Sequence, residues 1–472
     1  MRKMREGWWH GLLVFAMVGC APTTGARPPR GAARAWDTPP RRGVAVGGDA
    51  TSELDDQELA VSVDTLHAAK ALSLADLLEY ASARAPAIVI ARGDAVAGEA
   101  EVDAASPLLP YNPSLTGRLG GRTINGTSRF EYGVQISQRL QIAGQRAARV
   151  ETAERRRGAA AEGLVATAWS VHLQVHALYH QLLLRRMQRL AAEQVAEFVT
   201  EVQQVTQKRI DAGEESPLTA MVIRAEVAQA RKDAIAARQT ERETMLVLQE
   251  TIGWPVERQL RVAGDLPRPA EVPNGDALVA RALREHPRRR QLEESVAAAQ
   301  ARVELEEREA WPDPTIGAAF QQESEPGGPA YVWQGSLTVP LPIWERNQAG
   351  RARARAERVR AEAERDAFVR RLGPRVSRLA VRVNAAAERV RVYGEDILPA
   401  LEANLDKLQT AYELGEIDVL KLAQIRERLL SIQRDALNAM SDYFQAAAEL
   451  EQEAGVEVWG HSGPGGGEVK KR

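Results

Sequence analysis

With 472 residues the chain is long enough for two or three ordinary domains, and it contains one cysteine, Cys20. A single cysteine excludes an intrachain disulfide and any metal site built from several thiolates. The formal net charge is −2 with 27% charged residues, so no global charge favours a nucleic-acid partner.

Residues 1–19 have the features of a secretory signal peptide. Basic residues at positions 2, 3 and 5 precede an apolar run that is too short to span a bilayer. The run ends at Met17-Val18-Gly19-Cys20, which resembles a bacterial lipobox. This resemblance implies that Cys20 is lipidated and becomes the mature N-terminus, and Ala21 after it resembles lipoproteins of the outer membrane. The alternative is a plain secretory signal that is cut elsewhere.

The two ends of the chain lack the pattern of a packed domain. Residues 20–70 are rich in Pro, Gly, Ala, Arg and Asp without a sustained apolar period, which predicts a lipidated N-terminus followed by a flexible tether. We expect a disordered tail at residues 457–472. After the signal there is no run of eighteen apolar residues, so the sequence predicts no membrane-spanning helix.

Two proline-fenced segments are rich in β-branched and aromatic residues, and each predicts a β-hairpin. The predicted strands are 114–122 and 129–138 in the first segment, and 315–323 and 331–339 in the second. Landmarks recur at a shift of 201 residues, as from Pro86 to Pro287 and from Pro113 to Pro314. The chain is therefore a tandem duplication, with a first repeat at 71–272 and a second at 273–456.

Long helical segments follow each hairpin. Residues 139–210 contain no proline, and a continuous helix there would be about 108 Å long, against ~30 Å for a bilayer core. The second copy, 345–414, contains Gly373-Pro374, where we expect a kink or a split. Apolar residues at spacings of three and four predict heptad seams between each long helix and its return helix. The seam positions are Val195, Phe198, Val202, Val205, Val222 and Ala225 in the first repeat, and Leu398 to Tyr412 and Leu422 to Leu450 in the second.

Each helical hairpin must reverse its direction, and the turns are predicted at 210–218 and 414–420. Gly213 and Gly415 suit such turns because glycine takes the left-handed conformation that ends a helix without a steric penalty. Acidic residues cluster at both turns: Asp211, Glu214, Glu215, Glu413, Glu416 and Asp418.

No sequence signal for catalysis emerges. A phosphate-binding loop, a nucleophile elbow and a zinc-type cysteine pattern are all missing, so we predict no enzyme activity and no cofactor. His172, His176 and His180 are spaced four apart on one helix face. Imidazoles at this spacing can share a transition metal or pack in a partly buried interface, and we favour packing.

Several segments together resemble the TolC-like outer-membrane efflux family, most of all its CzcC- and CusC-like heavy-metal branch. The segments are Gln138 to Arg146, which enters the first long helix, Val339 to Gln348, its counterpart, and the tips Ala212 to Glu214 and Tyr412 to Glu416. The resemblance covers residues 72–456 and rests on the order and spacing of these segments. Ala143 departs from the branch, which commonly has glycine there.

The resemblance implies a mainly helical fold with a small β part. Duplicated long antiparallel helical hairpins would form an α-barrel tunnel, and each chain would give four strands to a trimeric twelve-stranded transmembrane β-barrel. Four strands expose two open edges, which hydrocarbon does not tolerate, so physical chemistry also favours association of chains.

The resemblance also implies partners, namely a homotrimer, a periplasmic adaptor (membrane fusion) protein and an inner-membrane transporter of the RND type. By the same resemblance the hairpin tips dock the adaptor, and the tip carboxylates are candidates for a gate. The docking residues would be Gly213, Leu218, Gly415 and Leu420.

We therefore expect a passive exit duct of a tripartite efflux pump in the outer membrane, with heavy-metal cations among the candidate substrates. The rival hypothesis is a lipid-tethered periplasmic coiled-coil scaffold without channel activity. A scaffold has no need for strand pairs with aromatic borders, whereas a barrel uses such residues as a girdle. The candidate girdle residues are Trp311, Tyr331, Trp333 and Trp344.

Overall fold

The computed structural model describes residues 71–124, 126–272, 274–325, 327–393 and 419–458. Within them the chain forms eight α-helices and one four-stranded antiparallel sheet. The helices are α1 (Leu74–Arg84), α2 (Pro86–Ala105), α3 (Gln145–Asp211), α4 (Pro217–Ile252), α5 (Gly275–Glu285), α6 (Pro287–Arg308), α7 (Gln348–Val392) and α8 (Val419–Ala454). The strands are β1 (Ser114–Ile124), β2 (Thr127–Arg139), β3 (Thr315–Glu325) and β4 (Gly328–Thr338).

The order helix, helix, hairpin, long helix, helix occurs twice, as the duplication predicts. The starts of α1 and α5, Leu74 and Gly275, are 201 residues apart, and so are the starts of α2 and α6. Each repeat has its own buried cluster. The first includes Leu77, Val175 and Leu248, and the second is built around other residues, such as Val383 and Leu450. The mainly helical, duplicated fold is confirmed.

Both predicted hairpins are present, and their strands extend further into the turns than predicted. The sheet order is β1-β2-β3-β4, so β2 and β3 join the two hairpins. Pro329 precedes the predicted strand 331–339, yet it lies in β4, opposite Ser324. Proline is tolerated near a strand start, where one missing N–H donor removes little of the ladder.

The 67 residues of α3 form a helix about 100 Å long. It begins after Gly144, whose φ of 79° is in the left-handed region, so the helix starts six residues later than the predicted residue 139. Among the described residues, no helix is both long enough and apolar enough to cross a membrane.

The expected split at Gly373-Pro374 is wrong, because α7 runs without a break through Pro374. Proline removes the backbone bond to the carbonyl of Arg370, and both residues are exposed, so water can satisfy that carbonyl. On the opposite side, Leu372 and Val376 are fully buried. Their packing holds the helix together across the proline.

The seam positions predicted for α4, the first return helix, are wrong, because a neighbouring face of the helix is buried. Val222 and Ala225 are exposed, whereas Ile223 and Val227 are buried. Most buried residues of α4 follow the heptad spacing, and only Gln249 and Ile252, at its end, depart from it. Those at heptad spacing are Ile223, Val227, Ala230, Ala234, Thr244 and Leu248. Alanine and threonine occupy part of this seam, and a pattern based on large apolar residues misses them.

The seam of α8 is confirmed over its described side chains. Ala436, Ala439, Tyr443, Ala446 and Leu450 are all buried. They belong to the cluster that also holds Leu379 and Val383 of α7. The predicted seam from Leu398 to Tyr412 lies outside the described residues.

Candidate functional site

The sheet is amphipathic, because successive side chains of a strand point to opposite faces. One face is mainly apolar, and most of its large apolar side chains are exposed in the single chain. They are Leu115, Leu119, Phe130, Tyr132, Val134, Ile136, Ile316, Tyr331, Trp333 and Leu337. Phe320 packs among them, with its ring centroid 4.7 Å from that of Trp333 and 5.9 Å from that of Tyr331. Exposed apolar area of this extent marks a surface that meets lipid or another chain.

The opposite face of the sheet is polar and internally bonded. Arg122 Nε lies 3.1 Å from Glu131 Oε1, and the same carboxylate accepts the Ser324 N–H at 2.8 Å. Gln321 donates to Glu323 along β3. A sheet with one apolar and one polar face suits a boundary between hydrocarbon and water.

The base of the sheet is tied to the long helix by a buried polar network. Gln145 is 1% exposed, and its amide donates to Asp313 Oδ1 at 3.0 Å. Arg139 Nε lies 3.1 Å from the other carboxylate oxygen of Asp313. The Leu140 N–H donates to the Pro314 carbonyl at 2.8 Å, which extends the β2–β3 pairing past the strand ends. These contacts fix the angle at which the sheet leaves the helices.

Sequence reasoning did not identify this network. Asp313 lies between Pro312 and Pro314, and in the sequence these prolines indicate only a strand border. Nearby, burial and then the Glu306 carboxylate raise the pKa of Glu309. At this junction Asp313 pairs with Arg139, and Glu306 pairs with Arg302. These ion pairs therefore have a structural role where the sheet meets the helices.

The first tip turn has the predicted conformation. Gly213 has a φ of 80°, and its N–H donates to the Ile210 carbonyl at 2.9 Å. Ser216 then caps α4, accepting the Leu218 N–H at 3.2 Å, with Pro217 in the first helical turn. Leu218 is exposed beside this cap. The turn is therefore short and defined by its own hydrogen bonds.

The three carboxylates of this turn have partners within it. Arg209 lies 3.6 Å from both Glu214 and Glu215, and Gln207 donates to Asp211 at 2.9 Å. A single guanidinium between two carboxylates reduces the repulsion that they would exert on each other. The second set of tip residues, Gly415, Glu413, Glu416 and Asp418, lies outside the described residues. Leu420 has a described backbone only, within α8.

The three histidines of α3 face the end of α8. His172 Nε2 lies 2.7 Å from Glu457 Oε1, and His176 Nδ1 lies 3.7 Å from Glu451 Oε2. His180 packs against Phe444 with ring centroids 5.1 Å apart. Within the described part of the chain, no group of three or more His, Cys, Asp or Glu side chains is arranged to hold a metal ion. The histidine face packs one repeat against the other.

The aromatic residues proposed as a girdle occupy two levels. Tyr331 and Trp333 lie on the apolar sheet face, and Trp333 is in the middle of β4. Trp311 and Trp344 lie beyond the strand ends, at the base of the sheet, and both are exposed. The role of these residues as a girdle stays a prediction.

Residues 77–253 and 278–456 match the family described as outer membrane efflux protein. The two matched segments cover most of the chain and each contains one hairpin and its helices. The chain is an outer membrane efflux protein. Its apolar sheet face and long helices are those of an efflux channel in the outer membrane, with a long periplasmic helical part. This membership excludes the scaffold hypothesis.

Two relatives of this outer membrane efflux protein come from Cupriavidus metallidurans. The cobalt-zinc-cadmium resistance protein CzcC is 25% identical over 331 residues, which cover 67% of this chain and 75% of CzcC. The nickel and cobalt resistance protein CnrC is 28% identical over 288 residues, or 60% of this chain and 67% of CnrC. The resemblance to the heavy-metal branch is confirmed by these two relatives.

The fold is also that of a solved channel. The structure of the Campylobacter jejuni CmeC outer membrane channel aligns with a TM-score of 0.68 at 13% identity. The alignment covers 82% of this efflux protein and 87% of CmeC. At this identity the likeness concerns the fold alone.

Proposed function

We propose that the chain forms a homotrimer whose twelve strands close one transmembrane β-barrel. The sheet supports this, because it has an apolar face, a polar face and two open edges, β1 and β4. Open strand edges are costly in hydrocarbon, since each unpaired backbone group there costs several kcal/mol. Four strands are too few to close on themselves, so further copies must supply the remaining strands.

The proposed cargo is a set of divalent metal cations. The support comes from the relatives CzcC and CnrC, whose names assign them to cobalt, zinc, cadmium and nickel resistance. The chain has no nucleotide-binding motif, so the energy for export must come from another protein. The proposed partners are an inner-membrane transporter of the RND type and a periplasmic adaptor that binds the hairpin tips.

A comparison of metal export tests this function. A source strain that lacks the gene should accumulate more Co²⁺, Zn²⁺, Cd²⁺ or Ni²⁺ than the parent, and the plasmid-borne chain should reverse the difference. Cell-associated metal is measured by mass spectrometry after a defined exposure. Equal content of all four cations in the three strains would contradict the proposed metal cargo. It would not affect the assignment of the protein as an efflux channel.

Lipidation of Cys20 remains a proposal, together with removal of residues 1–19 and a tether up to residue 70. Its support is the position of Cys20 directly after the apolar run of the signal. Labelled palmitate should enter the wild-type chain and be lost in Cys20→Ser, because the proposed lipid attachment requires Cys20. Equal labelling of both chains contradicts the proposal. The barrel also anchors the trimer, so Cys20→Ser should lower the yield more than it changes the location.

A further inference from the structure

The two hairpins have the same internal register. In the first, Ser114 of β1 pairs with Ser137 of β2, and in the second Thr315 of β3 pairs with Thr338 of β4. Both members of the second pair are shifted by 201 residues from those of the first. The hairpins are therefore equivalent units. The pairing seen at the edge of one hairpin can be used to infer the pairing at the corresponding edge of the other.

The strands β2 and β3 show how one repeat meets the next. Gln135 pairs with Ala319, and Val134 pairs with Phe320. Here the second strand of one hairpin lies beside the first strand of the following hairpin. The sheet ends at β1 and β4, which are the corresponding first and second strands and have no partner on their outer sides within the described sheet.

We propose that β4 of one copy pairs antiparallel with β1 of the next copy, in the register of the β2–β3 pairing. The inference rests on the proposed homotrimer and specifies its contact. Gln135 of β2 corresponds to Ser336 of β4, 201 residues later, and Ala319 of β3 corresponds to Arg118 of β1, 201 residues earlier. Ser336 therefore lies opposite Arg118 of the next copy. On the apolar face the same register places Trp333 opposite Gly121, Leu337 opposite Gly117, and Gly335 opposite Leu119.

Side-chain size supports this register independently of the duplication. Each of the three apolar pairs joins one large residue to one glycine. Leu119 and Trp333 are each 79% exposed, and a Cβ added at Gly117 or Gly335 would meet nothing within 4 Å. At Gly121 an added Cβ would meet only the Arg129 carbonyl oxygen, at 3.7 Å, which is an ordinary contact. The space above these glycines therefore receives the large side chains from the other strand.

Other registers fit less well. A slip of one residue would turn the apolar face of one copy toward the polar face of the next. A slip of two residues in either direction puts Gly335 opposite another glycine, Gly117 or Gly121. The same slip puts Leu119 opposite a large residue, Trp333 or Leu337. Each slipped register thus leaves a gap at one pair and crowds another.

The test uses disulfide formation in full-length protein in its membrane. Ser336→Cys with Arg118→Cys should shift the chain from monomer to covalent trimer on non-reducing denaturing gels. Directly opposite residues are about 4.5–5.5 Å apart between Cβ atoms, and diagonal ones are about 7–8 Å apart. A disulfide requires Cα atoms within about 7 Å. Within one chain, β1 and β4 are separated by about 14 Å, so a bond between them must join two copies.

Matched variants decide the register. Ser336→Cys with Thr116→Cys and Ser336→Cys with Gly120→Cys test the two slipped registers and should remain mostly monomeric. Gln135→Cys with Ala319→Cys is the equivalent pair inside one chain, and it should form a disulfide without a change of oligomer size. Each single-cysteine variant shows whether the introduced cysteine forms a disulfide with Cys20.

The outcomes separate this inference from the proposed trimer. A heat-resistant trimer in which a slipped pair reacts best overturns the register and retains the trimer. An intact trimer in which no β1–β4 pair reacts, while the internal pair does, overturns the contact between these strands. A wild-type chain that sediments as a monomer in mild detergent contradicts the trimer itself, and the proposed contact with it.

Discussion

The double variant Ile316→Asp, Phe320→Asp should fail to insert into the outer membrane and should form no heat-resistant trimers. Both residues lie on the apolar face of β3, opposite Leu337 and Trp333 of β4. A basic side chain on a lipid-facing strand near the membrane midplane costs about 2–4 kcal/mol, and a carboxylate costs somewhat less. Two such charges in each of three chains exceed what a marginally stable assembly can absorb.

The helices should survive this change. Their buried clusters are built from α1 to α8 and the loops between them, and neither cluster contains a residue of the sheet. We therefore expect helical circular dichroism close to that of the wild type. Insertion is measured by fractionation of outer membranes, and trimers by gel mobility without heating.

The matched control places two charges on the other face of the sheet. Gln135→Asp and Gln334→Asp lie on the polar face, on either side of Ala319. Because that face already carries Arg122, Glu131 and Glu323, the control should insert and assemble normally. Normal insertion of the apolar-face variant, or equal loss in both variants, would contradict the assignment of the apolar face to lipid.

The hairpins were predictable because their signal is local. Pro113 and Pro314 mark where the helices must stop, and the β-branched and aromatic residues that follow alternate in a strand period. The duplication added a second, independent copy of the same pattern. In this part of the chain the local sequence preferences agree with the fold, so the sequence alone was sufficient to predict the hairpins.

Large apolar residues alone do not identify the buried face of α4. Val222 is larger and more apolar than Thr244, yet Val222 is exposed and Thr244 is buried. The Thr244 hydroxyl donates to the Thr240 carbonyl, so its burial leaves no polar group unsatisfied. Which face is buried depends on the partner helix, and the sequence of one helix does not contain that information.

The Asp313 network was missed for a similar reason. Asp313 is far in sequence from Arg139 and Gln145, and it meets them only after β2 and β3 have paired. The histidine face was recognised, but its spacing alone did not reveal that Glu451 and Glu457 stand opposite. Tertiary partners decide the role of such groups.

The Gly213→Val variant should lower cation export while leaving membrane insertion unchanged. Gly213 has a φ of 80°, and a non-glycine residue in the left-handed region costs about 1–2 kcal/mol. A Cβ at this position would meet nothing within 4 Å, so the expected effect is backbone strain without a steric clash. Every 1.4 kcal/mol lowers the equilibrium population of the native turn about tenfold relative to its alternatives.

Loss of the native turn should also disturb the groups around it. The Gly213 N–H bond to Ile210 and the Glu214 N–H bond to Arg209 both depend on the left-handed residue. Without them, Arg209 no longer holds Glu214 and Glu215 in place. The proposed adaptor would then meet a tip of changed shape and charge.

Gly213→Asn is the matched control, because asparagine tolerates the left-handed conformation better than other non-glycine residues. It should retain most of the export that Gly213→Val loses. Export is measured as the rate of metal efflux from preloaded cells, and docking as the yield of cross-links between the tip and the adaptor. Wild-type export and wild-type cross-linking in Gly213→Val would show that this tip neither docks the adaptor nor gates the channel.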